Sequence, residues 1–427
     1  MRLYDTEEKK EQFVLVGVDT GRFDISMEES LNELEELLET DGGEAVGRVI
    51  QNLQSPSSRT YVGSGKVEEI RQILQDTGAD GIICDDELSP AQLKNLSDEL
   101  GVKVIDRTLL ILDIFTKRAT TREGQMQIEL AQLNYRLTRL TGLGKELSRQ
   151  GAAVGTHTRG AGETKLEMDR RHIRERIDML KSQLKEVAER RDMERTQRKK
   201  GHLPIIALVG YTNAGKSTVF NRVTGAGVLE EDQLFATLDT TVRRKDLPSG
   251  RSVLFTDTVG FIHKLPHQLI DAFRATLEEA CEADILLHVV DSSDPKAQMQ
   301  MKVTYDTLVE LKAADKPIIT ILNKQDLVQE EAQTTGPSYH AEEVLRISAL
   351  EEDGIRKVLE AVDRLLDQWD QEMLLMIPYA QAGLTEPIHQ EAVILSEDYT
   401  EQGIRIRARI KEPLLGKIKK YQIEDEV

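Results

Sequence analysis

Gly210-Tyr-Thr-Asn-Ala-Gly215-Lys216-Ser217 constrains this chain more than any other stretch. It fits the pattern G-x-x-x-x-G-K-[ST] at every fixed position and follows Ile205-Ile-Ala-Leu-Val209, an apolar run that reads as a buried parallel strand. A strand, a glycine-bearing loop and a helix in that order wrap backbone N–H groups around phosphate oxygens. The helix adds its positive N-terminus and Lys216 a full charge. The candidate phosphate contacts are Gly210, Asn213, Ala214, Gly215, Lys216, Ser217 and Thr218, with the Ser217 hydroxyl placed for Mg²⁺.

Four further pieces follow in order. Asp257-Thr-Val-Gly260 closes the run Val253-Leu-Phe255; its aspartate suits Mg²⁺ and the Gly260 N–H suits a γ-phosphate. Asn323-Lys324-Gln325-Asp326 follows Ile318-Ile-Thr-Ile-Leu322. The Asp326 carboxylate can accept two hydrogen bonds from guanine, which adenine does not offer. Ser348-Ala349 follows Val344-Leu-Arg-Ile347, where backbone N–H groups could meet guanine O6. Between the loop and Asp257 lies Phe235-Ala-Thr237-Leu-Asp-Thr-Thr241, and one of its hydroxyls should join the Mg²⁺ shell. Thr237 is favoured, with Thr240 and Thr241 as competitors. Each piece alone has an ordinary explanation as a cap or turn. Together, each at the end of an expected strand, they define a GTP site at the strand edge where open α/β sheets bind ligands. Lys216, Thr237 and Gly260 are the expected catalytic contacts.

Two residues refine this reading. Phe261 follows Gly260 where Ras-like proteins carry a water-orienting glutamine, so intrinsic hydrolysis should be slow and a partner should position the water. Asn213 either helps bind K⁺ beside the phosphates or stabilises its own turn.

The 427 residues suffice for several cores, and the net charge is −19. No apolar run approaches membrane-spanning length, and the N-terminus is not signal-like. Cys84 and Cys281 read as reduced core thiols, so a cytoplasmic protein is expected, without membrane contact and monomeric. Residues 117–200 carry 21 Lys and Arg against 12 Asp and Glu, a net of +9, which leaves −28 for the remainder. One basic segment in an acidic chain suggests a polyanionic partner engaged there.

The expected architecture is α/β and multidomain. Residues 1–115 form an N-terminal α/β domain with a mostly parallel sheet, and residues 116–200 a helical hairpin. Residues 201–371 form the P-loop GTPase domain, and residues 372–427 a small C-terminal α+β domain. Leu130, Leu133, Leu137 and Leu140 mark one amphipathic helix, and Leu166, Ile173, Ile177, Leu180, Leu184 and Val187 a second. Between them a glycine-rich basic loop is expected over 141–162, with Lys145, Arg149 and Arg159 as candidate RNA contacts. Gly63-Ser-Gly65-Lys66 is either a glycine turn before a helix or a second phosphate site. Arg405, Arg407 and Arg409 alternate along one strand and either bind RNA or protein or form the wet side of a sheet.

Outside the nucleotide motifs, the chain carries Tyr61-Val-Gly-Ser-Gly-Lys-Val67, Asp85-Asp-Glu-Leu-Ser-Pro90, Asp106-Arg-Thr108 and Leu112-Asp-Ile-Phe115. It also carries Arg139-Leu-Thr-Gly-Leu-Gly-Lys145, Gly160-Ala-Gly-Glu-Thr-Lys165 and Asp169-Arg-Arg-His-Ile173. With Phe235-Ala-Thr-Leu-Asp239 and Asp257-Thr-Val-Gly-Phe-Ile262, these resemble the HflX family of translational GTPases over essentially the whole chain. The resemblance implies GTP hydrolysis with Mg²⁺, binding of the large ribosomal subunit (50S) and its rRNA, and splitting of stalled ribosomes under stress. It also implies that the 141–162 loop lies near the peptidyl-transferase centre, although Gly151-Ala-Ala-Val-Gly155 is poorer in glycine than the family tends to be. The other readings are a ribosome anti-association or assembly factor, and an RNA-remodelling ATPase acting through the N-terminal domain.

Overall fold

The computed structural model describes residues 10–21, 25–152, 161–200, 203–227, 234–235, 240–264, 280–328, 341–369, 371–410 and 418–423. Its first sheet holds β1 (Gln12–Asp19), β2 (Glu44–Asn52), β3 (Gly81–Cys84) and β4 (Lys103–Asp106) in the order β2-β1-β3-β4. All pairings are parallel, as the alternating strand and helix signals predict. Helices α1 (Met27–Asp41), α2 (Ser64–Thr77), α3 (Pro90–Leu100) and α4 (Arg107–Arg118) cover it. Reciprocal capping boxes start α1 and α3: Ser26 pairs with Glu29 and Ser89 with Gln92, each satisfying otherwise orphaned N–H groups. Helix α4 follows β4 without a loop and is capped by Asp106, whose side chain accepts from the Leu109 N–H.

Two long helices follow, α5 (Arg122–Ala152) and α6 (Ala161–Lys200). The loop expected over 141–162 is therefore helical as far as Ala152 and again from Ala161. Three glycines in the α5 part cost roughly 1 kcal/mol each against alanine, yet the helix continues through them. At 1.5 Å per residue, the 40 residues of α6 extend about 60 Å. Arg176 clasps Glu129 through two bonds of 2.7 Å, and Arg191 pairs with Glu123, tying α6 to α5. The leucine stripe of α5 is half-buried. A second stripe, Ile128, Ala131 and Tyr135, is buried in a core shared with α1 and α4.

The central sheet follows the order β10-β9-β8-β5-β7-β6. It comprises β5 (Ile205–Gly210), β6 (Thr241–Asp246), β7 (Ser252–Asp257), β8 (Ile285–Asp291), β9 (Ile318–Asn323) and β10 (Ala341–Arg346). Only the edge strand β6 is antiparallel. Helices α7 (Lys216–Thr224), α8 (Ala297–Glu310) and α9 (Glu352–Trp369) pack against it. The central strands are mostly apolar because both faces are covered, with His288 and Thr320 as buried polar exceptions. The C-terminal sheet, order β12-β13-β11-β14, is antiparallel and rests on α10 (Thr385–Glu391). Its strands are β11 (Gln371–Ile377), β12 (Val393–Thr400), β13 (Gly403–Ile410) and β14 (Gln422–Ile423). Among the described residues, no helix is long and apolar enough to cross a membrane.

Candidate nucleotide site

The loop after β5 turns through two left-handed residues, Asn213 (φ 59°) and Gly215 (φ 91°). A Cβ on Gly215 would lie 2.4 Å from Asn323 Nδ2, so both backbone angle and space require glycine there. Lys216 opens α7 as a buried side chain and donates to the Tyr211 carbonyl at 2.6 Å. Burial pulls its ammonium down to about 8, partly opposed by the Asp257 charge. The loop thus holds a desolvated cation bonded to its own backbone, ready to exchange that carbonyl for phosphate oxygens.

Asp257 ends β7, fully buried, and its Oδ2 accepts from Ser217 Oγ at 2.9 Å. A hydroxyl and a single carboxylate side by side suit a hard, oxygen-seeking cation. Among the described residues no cluster of three or more His, Cys, Asp or Glu side chains is arranged to hold a metal. Gly260 follows closely: a Cβ there would meet Thr212 Cα at 2.8 Å and Lys216 Nζ at 2.9 Å. That clearance lets the backbone approach whatever Lys216 holds. Thr237 lies outside the described residues; its competitors Thr240 and Thr241 lead into and begin β6.

Asn323 knits the base-side pieces together. Its Nδ2 donates to the Ala214 carbonyl at 3.1 Å, and its Oδ1 accepts from the Ala349 N–H at 2.9 Å. One buried side chain therefore joins the phosphate loop, the end of β9 and the Ser348-Ala349 turn. Lys324 pairs with Asp291 at 2.7 Å, and Asp326 is exposed beside it. Except for Thr237, every residue named from sequence for the nucleotide is gathered at one edge of the central sheet. Sequence reasoning missed Asp291, Ser292 and His288. Ser292 accepts from Gln325 Nε2 at 2.7 Å, and His288 is buried on β8 with its pKa lowered to about 4, chiefly by burial and then by Lys216. The apolar run Ile285-Leu-Leu before His288 was the available signal.

Phe261 is fully buried. Its N–H donates to the Gly210 carbonyl at 3.0 Å, and its own carbonyl accepts from Thr212 at 2.8 Å. It packs with Val209, Tyr211, Leu234 and Phe235, so the side chain is a core plug and orients no water. Elsewhere, Lys66 pairs with Glu69 and the Gly63 N–H donates to Gln51 Oε1 at 2.8 Å. Gly63 is thus the N-cap of α2, and Ser64–Lys66 form its first turn. Lys145 and Arg149 fall within α5, and Arg159 lies outside the described residues. Arg407 and Arg409 lie near Glu372 and Asp367, each at 3.6 Å, so that face is partly neutralised.

A parallel-dominated sheet with this loop and these strand-end residues defines a P-loop GTPase carrying an extra N-terminal α/β layer. Residues 28–116 match the family described as GTP-binding GTPase N-terminal, residues 118–198 its Middle Region, and residues 205–324 the family described as 50S ribosome-binding GTPase. The GTPase HflX of Lacrimispora saccharolytica is 49% identical over 97% of this chain and 97% of its own length. That of Escherichia coli is 39% identical over 97% and 96%. A GTP-binding protein of Sulfolobus solfataricus, solved with GDP, is 25% identical over 83% of this chain and 99% of its own, with a TM-score of 0.43. The chain belongs to the HflX family of GTPases.

Proposed function

We propose that this GTPase binds the large ribosomal subunit and uses GTP to dissociate stalled ribosomes. The observation that carries the reading is the match of residues 205–324 to 50S ribosome-binding GTPases. The +9 balance of residues 117–200, laid along a helix pair that projects a basic segment, adds an electrostatic reason to expect rRNA as the surface contacted. In this reading Lys145, Arg149 and Arg159 meet RNA, and the protein works as a cytoplasmic monomer.

Within the nucleotide site, Lys216 and the backbone N–H groups of residues 213–218 hold the phosphates, and Gly260 reaches the γ-phosphate. Asp326 selects guanine, while Asn323 braces the Ser348-Ala349 turn toward guanine O6. Ser217 and Asp257, already bonded to each other, would hold Mg²⁺ together with Thr237, and the ion would supply neutralisation of phosphate charge. Asn213, in its left-handed turn at the loop, either supports K⁺ or stabilises that turn. Because Phe261 is in the core, the hydrolytic water needs another positioning group, which favours activation by the ribosome.

A second reading, an anti-association or assembly factor whose hydrolysis times release, uses the same site. Light scattering of 70S particles separates the two. Splitting predicts a fall in scattering when protein and GTP are added to preformed 70S. Anti-association predicts no fall, only slowed joining of free subunits. The ATPase reading through Gly63–Lys66 is disfavoured by the partners of Lys66 and Gly63.

A further inference from the structure

Two adjacent residues, Asp106 and Arg107, sit between the nucleotide site and the hairpin. Arg107 is fully buried. It donates to Asp85 Oδ1 at 2.8 Å and to the His263 carbonyl at 3.1 Å, and it pairs with Glu33. Asp85 is also fully buried; its Oδ2 takes Lys264 Nζ at 2.5 Å and Ser30 Oγ at 2.7 Å. Lys264 also reaches Asp86 at 2.7 Å. Glu33 accepts from the Tyr211 hydroxyl, and that hydroxyl accepts from the His263 N–H at 2.8 Å. The segment just beyond Gly260 and Phe261, together with the phosphate loop, is thus held by charges from α1, from Asp85 just after β3, and from α4.

The other end of the nucleotide-sensing region is held as well. Phe235 packs edge-on against Phe115 of α4, with centroids 4.6 Å apart. Phe235 and Lys264 both stand in left-handed backbone, at φ 57° and 54°. Such conformations persist only where their surroundings enforce them.

Asp106, one residue before Arg107, faces the hairpin. Its Oδ1 accepts from the Tyr135 hydroxyl at 2.8 Å and its Oδ2 from Arg139 at 2.6 Å. Arg139 also lies over the Tyr135 ring, 3.0 Å from its centroid, and donates to the Leu88 carbonyl. With the buried stripe of α5, this fastens the hairpin to the N-terminal layer.

We propose that the Asp85–Arg107–Lys264 cluster is a latch opened by GTP, and that the hairpin is its output arm. Gly260 approaching a γ-phosphate draws residues 261–264 toward the nucleotide and away from Asp85 and Arg107. The N-terminal layer and hairpin, joined at Asp106, then move as one body against the central sheet, and the long α6 amplifies the rotation. The proposal concerns nucleotide and hairpin alone, so it stands or falls independently of the ribosome reading.

Spin-label distances on the full-length protein test it. Labels go on exposed positions by Ser182→Cys (α6), Gln75→Cys (α2) and Lys357→Cys (α9), used in pairs in a Cys281→Ala background, with Cys84 buried. GTPγS with Mg²⁺, compared with GDP, should shift the 182–357 and 75–357 distances by about 5 Å or more while the 182–75 distance holds. Lys264→Met with GDP should reproduce that shift. Arg139→Met should broaden the 182–75 distance instead. If Lys264→Met does not fold, Lys264→Gln and the wild-type nucleotide series decide. Distances to 357 that ignore GTPγS, or a 182–75 distance that moves as far as the others, would overturn the latch.

Discussion

Ser217 Oγ donates to Asp257 Oδ2 across 2.9 Å, joining the first turn of α7 to the end of β7. The fold itself sets this pair, so its oxygens need little reorganisation to face a cation. Ser217→Ala removes a hydrogen bond to a buried carboxylate, worth about 1.5–3 kcal/mol. The Mg²⁺ concentration needed for half-maximal GTP hydrolysis should rise at least roughly tenfold. A Mg²⁺ titration of phosphate release checks this, and an unchanged half-point would remove Ser217 from the metal's shell.

Asp326 is exposed while its neighbour Asn323 is buried and braced at both ends. Asp326→Asn should therefore leave the fold intact and cost a few kcal/mol of GTP affinity, because one acceptor of two guanine hydrogen bonds becomes a donor. Fluorescent-nucleotide titration gives the affinity. GTP binding at wild-type strength with no gain for a xanthosine nucleotide contradicts the assignment of Asp326 to guanine.

Burial holds Lys216 down at about 8 in the free protein. Phosphates raise it on binding, so above pH 8 the complex must take up a proton. GDP affinity should weaken as pH rises from 7.5 to 9, approaching tenfold per pH unit. Isothermal titration in two buffers of different ionisation enthalpy reads the proton uptake directly. Affinity that stays flat across this range would mean that Lys216 is already charged when free.

His288 and His263 are both depressed to about 4, chiefly by burial. A histidine depressed on folding stabilises fully above its unfolded value near 6.5, and that stability is lost as pH falls toward 4. His288 contributes at most about 3 kcal/mol over the window, and the more exposed His263 less. His288→Leu should lower the pH slope of unfolding free energy between 6.5 and 4 by up to one proton, leaving that of His263. Urea melts across this window decide the matter; an undiminished slope would show that His288 is not held neutral.

The central sheet was legible because its strands are buried on both faces and end in motif residues: Val209 runs into Gly210 and Leu322 into Asn323. The first sheet was equally plain, since Gly81–Cys84 is a short apolar run and Val104-Ile105 the apolar centre of Lys103–Asp106. Helix α4 was not foreseen. Its Leu110, Ile111, Leu112, Ile114 and Phe115 are buried nearly all round, which removes the one-sided stripe that marks an amphipathic helix. The extension of α5 through Gly142, Gly144 and Gly151 was missed because glycine lowers helix propensity without forbidding it. No local pattern pointed to Asp85, Arg107 and Lys264 meeting, because Lys264 stands 179 residues from Asp85.

With Phe261 plugged into the core, the GTP site is expected to work through the large ribosomal subunit. Steady-state phosphate release from GTP, measured with the full-length protein alone and with purified 50S particles, tests it most directly. Slow turnover alone and a rise of about tenfold or more with 50S are expected, since the partner then supplies the missing transition-state contact. Equal turnover in the two conditions would contradict it.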